Sequence, residues 1–150
     1  MEKGVRVYLG SDHAGFSVKE KIKKFLKKNE ISYEDLSPEL NEGDDYPDVA
    51  FELAEKVAKN KDSRGILVCG TGTGMCIAAN KVKGIRATPI YDKYSAVMSR
   101  QHNNCNIACL RGRKFFSGRD VSLVNLWLST EFSHGDRHKR RLAKIAKYEK

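Results

Sequence analysis

Apolar residues recur along this chain in two rhythms: short runs of strand-forming side chains, and longer stretches that are apolar on one face only. Val5 to Gly10, Ser32 to Asp35, Gly65 to Cys69, Ile85 to Ile90 and Asn106 to Leu110 read as strands. Helical spacing fills the intervals, over Phe16 to Asn29, Pro47 to Asn60, Gly74 to Val82, Lys93 to His102 and Gly118 to Ser129, with a last helix from His138 to Tyr148. In the second helix Ala50, Leu53, Ala54, Val57 and Ala58 form one stripe, and in the fifth Leu123, Val124, Trp127 and Leu128 do the same. Strands alternating with amphipathic helices predict an α/β fold, a parallel sheet with helices on both faces. No internal repeat or linker interrupts the pattern, so one domain over residues 1–150 is expected, with Ser37 to Asp45 as an acidic loop.

Open parallel sheets bind ligands at the carboxyl ends of their strands, and polar residues gather there. The first strand ends in Ser11-Asp12-His13, the third in Cys69-Gly70-Thr71, the fourth in Tyr91-Asp92 and the fifth in Arg111-Gly112-Arg113. His102 and Asn103 precede the fifth strand and belong at the opposite edge of their own sheet. If they act in the same site, a second subunit has to supply them.

The most specific segment is Cys69-Gly70-Thr71-Gly72-Thr73-Gly74, where an apolar strand runs into a cysteine and three glycines at alternate positions. Glycines admit backbone angles closed to other residues, so successive N–H groups can converge on an anion, with the positive end of the next helix beside them. A thiol there ionises more readily than a free one. A dinucleotide loop would place its third glycine where Met75 stands, although Asp92 has the spacing of the acid that such loops use. No Lys-Ser/Thr follows the glycines, which excludes a Walker-type loop. A generic oxyanion or phosphate cradle remains, against the bland alternative of a tight turn.

Charge alters this picture less than its size suggests. The 150 residues carry a formal net charge of +9. It is concentrated in Lys19 to Lys28, six lysines against Glu20, and in His134 to Lys150, seven Lys/Arg against Asp136 and Glu149. The first block shares a helix with inward-facing Val18, Ile22, Phe25 and Leu26, so its lysines read as a solvated face. In the second, Arg137, Arg140 and Arg141 have the spacing to fork around one phosphate, with His138 as a further donor. A nucleic-acid-binding module would explain the charge, but neither block interleaves aromatics with its cations, and no nucleic-acid partner is expected. A nucleotide-binding sensor is disfavoured by Met75. No apolar run approaches the roughly 20 residues that cross a bilayer, so a cytoplasmic protein without membrane contact is expected.

The four cysteines, Cys69, Cys76, Cys105 and Cys109, contain no CxxC pair and read as reduced. Spacing gives only weak support to a zinc site from Cys105, Cys109 and His102, and no metal is expected. Cys76, Cys105 and Cys109 read as packed side chains. Taken alone, Asp12 and His13 could be a helix cap and a surface imidazole.

The motifs together are more specific than their parts. Gly10-Ser11-Asp12-His13-Ala14-Gly15-Phe16, Asp45-Tyr46-Pro47, the Cys69 to Gly74 loop, Ile77-Ala78-Ala79-Asn80-Lys81, Gly84-Ile85-Arg86-Ala87, Ser99-Arg100-Gln101-His102-Asn103-Asn104 and Arg137-His138-x-x-Arg141 resemble, in order and over nearly the whole chain, ribose-5-phosphate isomerase of type B. The resemblance implies a Rossmann-like three-layer α/β/α sandwich with a five-stranded parallel sheet and a C-terminal helix. It also implies a homodimer with shared active sites, with tetramers left open, and no organic or metal cofactor.

Carried over by motif, Cys69 resembles the base that moves a proton between C1 and C2 of the open-chain sugar. Thr71 resembles the residue that helps shift protons between the two oxygens. The backbone of Gly70, Gly72, Thr73 and Gly74 would hold the enediolate. His102 with Asp12 resembles the acid–base pair that opens the furanose ring, while His13, Asn103, Arg113, Arg137 and Arg141 resemble the sugar and phosphate contacts. Arg140 has no such counterpart. Some members use a glutamate after the glycines instead of a cysteine before them, and Met75 at that position leaves the proton transfer to Cys69. Related galactose-6-phosphate isomerase subunits lack the Arg-Gln-His-Asn element, which favours a phosphorylated pentose. The alternative within this reading is a hexose 6-phosphate of the allose 6-phosphate type.

Overall fold

A computed structural model describes residues 4–113 and 119–149. Its elements are β1 (Arg6–Ser11), α1 (Phe16–Lys28), β2 (Tyr33–Asp35), α2 (Tyr46–Lys59), β3 (Ser63–Cys69), α3 (Thr73–Ala79), β4 (Ala87–Pro89), α4 (Lys93–Asn103), β5 (Ile107–Arg111), α5 (Arg119–Ser129) and α6 (Asp136–Tyr148). The strands form one parallel sheet in the order β2-β1-β3-β5-β4.

Successive residues of a strand face opposite sides, and the core divides accordingly. Val7, Leu9, Ile66, Val68, Ala108 and Leu110 pack with Ile22 and Leu26 of α1, Ala96 of α4 and Val124 and Trp127 of α5. Tyr8, Leu67, Cys69, Ile107 and Cys109 turn to the other face, against Ala50, Leu53 and Val57 of α2 and Met75 and Ala79 of α3. The result is the expected three-layer sandwich, with Cys69 on the α2/α3 side. From β1 the chain winds outward to β2, then returns past β1 to β3. Connections from β1 and β3 therefore diverge, and a crevice opens at their carboxyl ends.

Several sequence expectations need correction. The fourth strand is limited to Ala87–Pro89. The Asn80 side chain takes the Ala87 N–H at 2.9 Å and donates to the Ala87 carbonyl at 2.9 Å, and Asn106 Oδ1 takes the Arg86 N–H, so side chains satisfy backbone at the strand's start. The third helix stops at Ala79, and Gly84 turns the chain at φ +82°. Ala58 is exposed and leaves the α2 stripe to its four neighbours. Lys19 is not on a solvated face: its side chain is wholly buried, donating to Asp35 Oδ1 and Oδ2 at 3.1 and 2.9 Å and to the Ser37 carbonyl. The expected start of the fifth helix at Gly118 lies outside the described residues.

Candidate active site

The crevice is assembled from three chain turns. After β1, the Asp12 N–H reaches the Val68 carbonyl at 3.3 Å, while Asp12 Oδ1 accepts the Gly15 N–H at 2.9 Å and closes the turn into α1. Asp12 is not the helix cap weighed from sequence: Gly15 holds the N-cap position of α1 without a side-chain cap, and Asp12 closes the turn that leads into it. Asp12 is also buried at the crevice floor, and burial raises its carboxyl above the ordinary range, more than the Gly15 N–H lowers it. A carboxylate in that condition is a better proton acceptor than an exposed one.

After β3, Cys69 is 4% exposed, and the Gly72 N–H points at its Sγ from 3.2 Å. Gly72 caps α3 in the left-handed region at φ +82°, and a Cβ there would stand 3.1 Å from the Leu110 carbonyl. Both facts demand glycine. Thr71 is exposed and takes the Thr73 N–H on Oγ1 at 3.2 Å. Two N–H groups of the loop thus rest on its own side chains. An entering oxyanion competes for them with sulfur and hydroxyl, both weaker acceptors. Gly74 lies under the Tyr46 ring, whose nearest atom would be 2.7 Å from an added Cβ.

After β5, the Gly112 N–H bonds the Cys69 carbonyl at 2.7 Å and the Arg113 N–H the Gly70 carbonyl at 3.1 Å. This continuation carries the Arg113 side chain over Gly70. Arg113 Nη2 lies 3.5 Å from His13 Nε2, and His13 Nδ1 lies 2.8 Å from Asp44 Oδ1. Asp44 was not singled out from sequence, where it was one of several acids in a polar loop. Its position directly before Asp45-Tyr46-Pro47 was the available signal.

The structure thus gathers Asp12, His13, Gly70, Thr71, Gly72, Thr73, Gly74, Cys69 and Arg113 at one sheet edge. It leaves His102, Asn103, Arg137 and Arg141 elsewhere. His102 ends α4, before β5, and the Asn103 carbonyl accepts from Arg86 Nε at 3.1 Å at the amino end of the sheet. Strand β5 separates the two ends by about 13 Å at the usual rise per residue. His102 stacks against His138 at 4.3 Å between ring centroids. His138 is buried, pairs with Ser133 Oγ through Nδ1 at 2.7 Å and accepts from Arg137 Nε on Nε2 at 3.1 Å. Burial, then the neighbouring His102, Arg137 and Arg141, hold it below the ordinary imidazole range. Arg137, Arg140 and Arg141 are exposed.

Cys76, Cys105 and Cys109 are buried as expected of packed side chains. Burial pushes the Cys105 thiol up to about 11, and Cys109, donating toward Cys76 in a buried setting, is also raised. Thiols held protonated are poor nucleophiles and poor ligands. Among the described residues no group of three or more His, Cys, Asp or Glu side chains is disposed to hold a metal ion. No helix of the described residues is long and apolar enough to cross a membrane.

Comparison with known proteins gives this geometry a family. The Ribose/Galactose Isomerase family matches residues 7–145. A Mycoplasma genitalium protein named "Probable ribose-5-phosphate isomerase B" is 43% identical over 146 residues, covering 96% of this chain and 95% of its own. The D-erythrulose-4-phosphate isomerase of Pectobacterium atrosepticum is 38% identical over 144 residues, covering 95% and 94%. Among solved structures, ribose-5-phosphate isomerase B from Mycoplasma genitalium with bound ribulose-5-phosphate superposes with a TM-score of 0.92 at 42% identity, covering 97% of each chain. The chain belongs to the ribose/galactose isomerase family.

Proposed function

We propose that this chain is a ribose-5-phosphate isomerase, interconverting D-ribose 5-phosphate and D-ribulose 5-phosphate through an enediolate. The observation that carries the reading is Cys69, a buried thiol at the end of β3 with the Gly72 N–H on its sulfur and the Gly70 to Gly74 backbone beside it. Similarity to the ribose-5-phosphate isomerase B proteins supports the substrate.

The steps follow from the chemistry of the groups. Asp12 takes the proton of the anomeric hydroxyl while His102 gives one to the ring oxygen, and the furanose opens to the aldehyde. Cys69 as thiolate removes the C2 proton, and the charge that develops on O1 is met by donors already in place along the glycine loop. Thr71 relays the proton of the C2 hydroxyl to O1, Cys69 returns its proton to C1, and the ketose results. His13 and Arg113 hold phosphate from this side, with Arg137 and Arg141 from the other.

His102 and Cys69 lie at opposite sheet ends of one chain, so this scheme needs a homodimer in which each copy lends α4 and α6 to the other's crevice. Exposed apolar side chains support self-association: Phe51 and Ile77 on the α2/α3 layer, and Ile145 and Tyr148 on α6. We read residues 1–150 as one isomerase domain, acting in the cytoplasm in the pentose phosphate pathway.

The test is conversion of ribose 5-phosphate by purified protein in the presence of a chelator, with Cys69→Ala alongside. Turnover lost only in the variant is the expected result. Full turnover by Cys69→Ala would overturn the assigned base. The relatives named for D-erythrulose 4-phosphate make that tetrulose the second substrate to assay. Sedimentation of the intact protein tests the dimer.

A further inference from the structure

We propose that Asp44 is a positioning residue that makes anion binding at His13 take up a proton, an inference that rests on the phosphate site described above. One oxygen of Asp44 receives two contacts from His13. It accepts the backbone N–H at 3.2 Å and faces Nδ1 at 2.8 Å. An ionised carboxylate can only accept, so Nδ1 carries the proton. In the neutral ring Nε2 is then a bare lone pair, and what faces it is Arg113 Nη2 at 3.5 Å, which can only donate.

A dianion seated against Arg113 reverses that requirement, because Nε2 has to donate to it. With Nδ1–H already committed to Asp44, the ring meets the demand only by gaining a second proton from solvent. One proton enters with each anion and leaves with it. The loop that carries Asp44 is anchored from two sides: Ser37 Oγ takes the Ser11 N–H at 2.8 Å, and the buried Lys19 ammonium donates to the Ser37 carbonyl.

The charged groups around His13 are Asp12 in its own turn, Asp44 before α2, and Arg113 after β5. In the shared site His102, His138, Arg137 and Arg141 face it from a second copy. His102 and His138 are imidazoles as well, so the test must separate them from His13.

The experiment is calorimetric titration of the intact protein with sulfate, a dianion throughout, from about pH 5.5 to about pH 8.5 in buffers of differing ionisation enthalpy. In the wild type one proton enters per sulfate, and affinity falls about tenfold per pH unit above the imidazole range. Asp44→Asn keeps an acceptor but removes the charge, so affinity at pH 7.5 falls about tenfold and the deficit narrows as pH drops. His13→Gln binds weakly, without proton uptake. A wild-type profile in Asp44→Asn, or proton uptake surviving in His13→Gln, overturns the proposal. If Asp44→Asn fails to fold by circular dichroism, Asp44→Ser, which keeps a hydroxyl acceptor without the charge, takes its place, and a wild-type profile there overturns the proposal. Ribose 5-phosphate turnover is measured in parallel. Turnover without proton-linked sulfate binding removes this inference alone, and proton-linked binding without turnover removes the isomerase reading alone.

Discussion

The imidazole rings of His102 and His138 lie 4.3 Å apart with their planes inclined at 39°, which locks the last turn of α4 to the first turn of α6. His138 is fully used: its Nδ1 meets Ser133 and its Nε2 accepts from Arg137, an arrangement that requires the neutral ring. The ring proposed for ring opening is therefore seated on a neighbour that stays uncharged.

A pH dependence of stability follows from that seating. The folded His138 value lies below its ordinary 6.5, through burial first and then His102 and the two arginines. A depressed value means that the stabilisation is present above 6.5 and is lost as pH falls through 6.5 toward the folded value. The melting temperature drops as pH is lowered from about 7.5 to about 5.5, and His138→Gln flattens the drop. Calorimetry across that range checks it.

Asp12→Asn separates stability from activity. Burial raises the folded carboxyl value, so its stabilising contribution is present below 3.8 and is lost as pH rises through the folded value. At neutral pH the charged Asp12 is a net cost. Asparagine keeps the oxygen that takes the Gly15 N–H, so the variant melts at or above the wild-type temperature while turnover on ring-closed substrate collapses. Asp12→Ala loses the acceptor too and costs about 1 kcal/mol. Thermal melts and initial rates on the same preparations decide the matter.

Gly72→Ala strains the chain twice, by its φ of +82° and by the Leu110 carbonyl 3.1 Å from the added carbon. A loss of about 1–2 kcal/mol in urea unfolding is expected. Turnover falls by a larger factor than stability, because the shifted N–H no longer points at Cys69.

Lys19→Met strands buried charge. Burial works to raise the Asp35 carboxyl, yet the Lys23 and Lys19 ammonium groups outweigh it and hold the value below the usual range. Removing Lys19 leaves Asp35 with Lys23 and the Ser37 N–H at 3.1 Å. A destabilisation of about 3 kcal/mol is expected, read by denaturant unfolding. A loss near that of an exposed lysine would place the network at the surface.

How far the sequence carried depends on which interaction decides each feature. Period-two alternation in Val7–Tyr8–Leu9 and Ile66–Leu67–Val68 made the sheet legible, since each residue commits to one face. Sheet order was not legible, because Ala87 and Ile107 pair across 20 residues with no local mark. Lys19 misled because helical spacing shows a face but not the Asp35 waiting opposite. Cys69 and Arg113 converged as their strand ends foretold, whereas Asp44 depended on where an irregular loop folds back. The separation of His102 from Cys69 was legible, since position relative to a parallel strand fixes which end a residue occupies.

That separation has a genetic consequence. If, as proposed, the base and the ring-opening imidazole of one site come from two copies, a chain lacking Cys69 and a chain lacking His102 fail in different halves. Mixed pairs of the two contain one crevice with both lesions and one with neither. Two null alleles expressed in one cell would therefore restore activity that each lacks alone, while two alleles damaged in Cys69 and Asp12 would not.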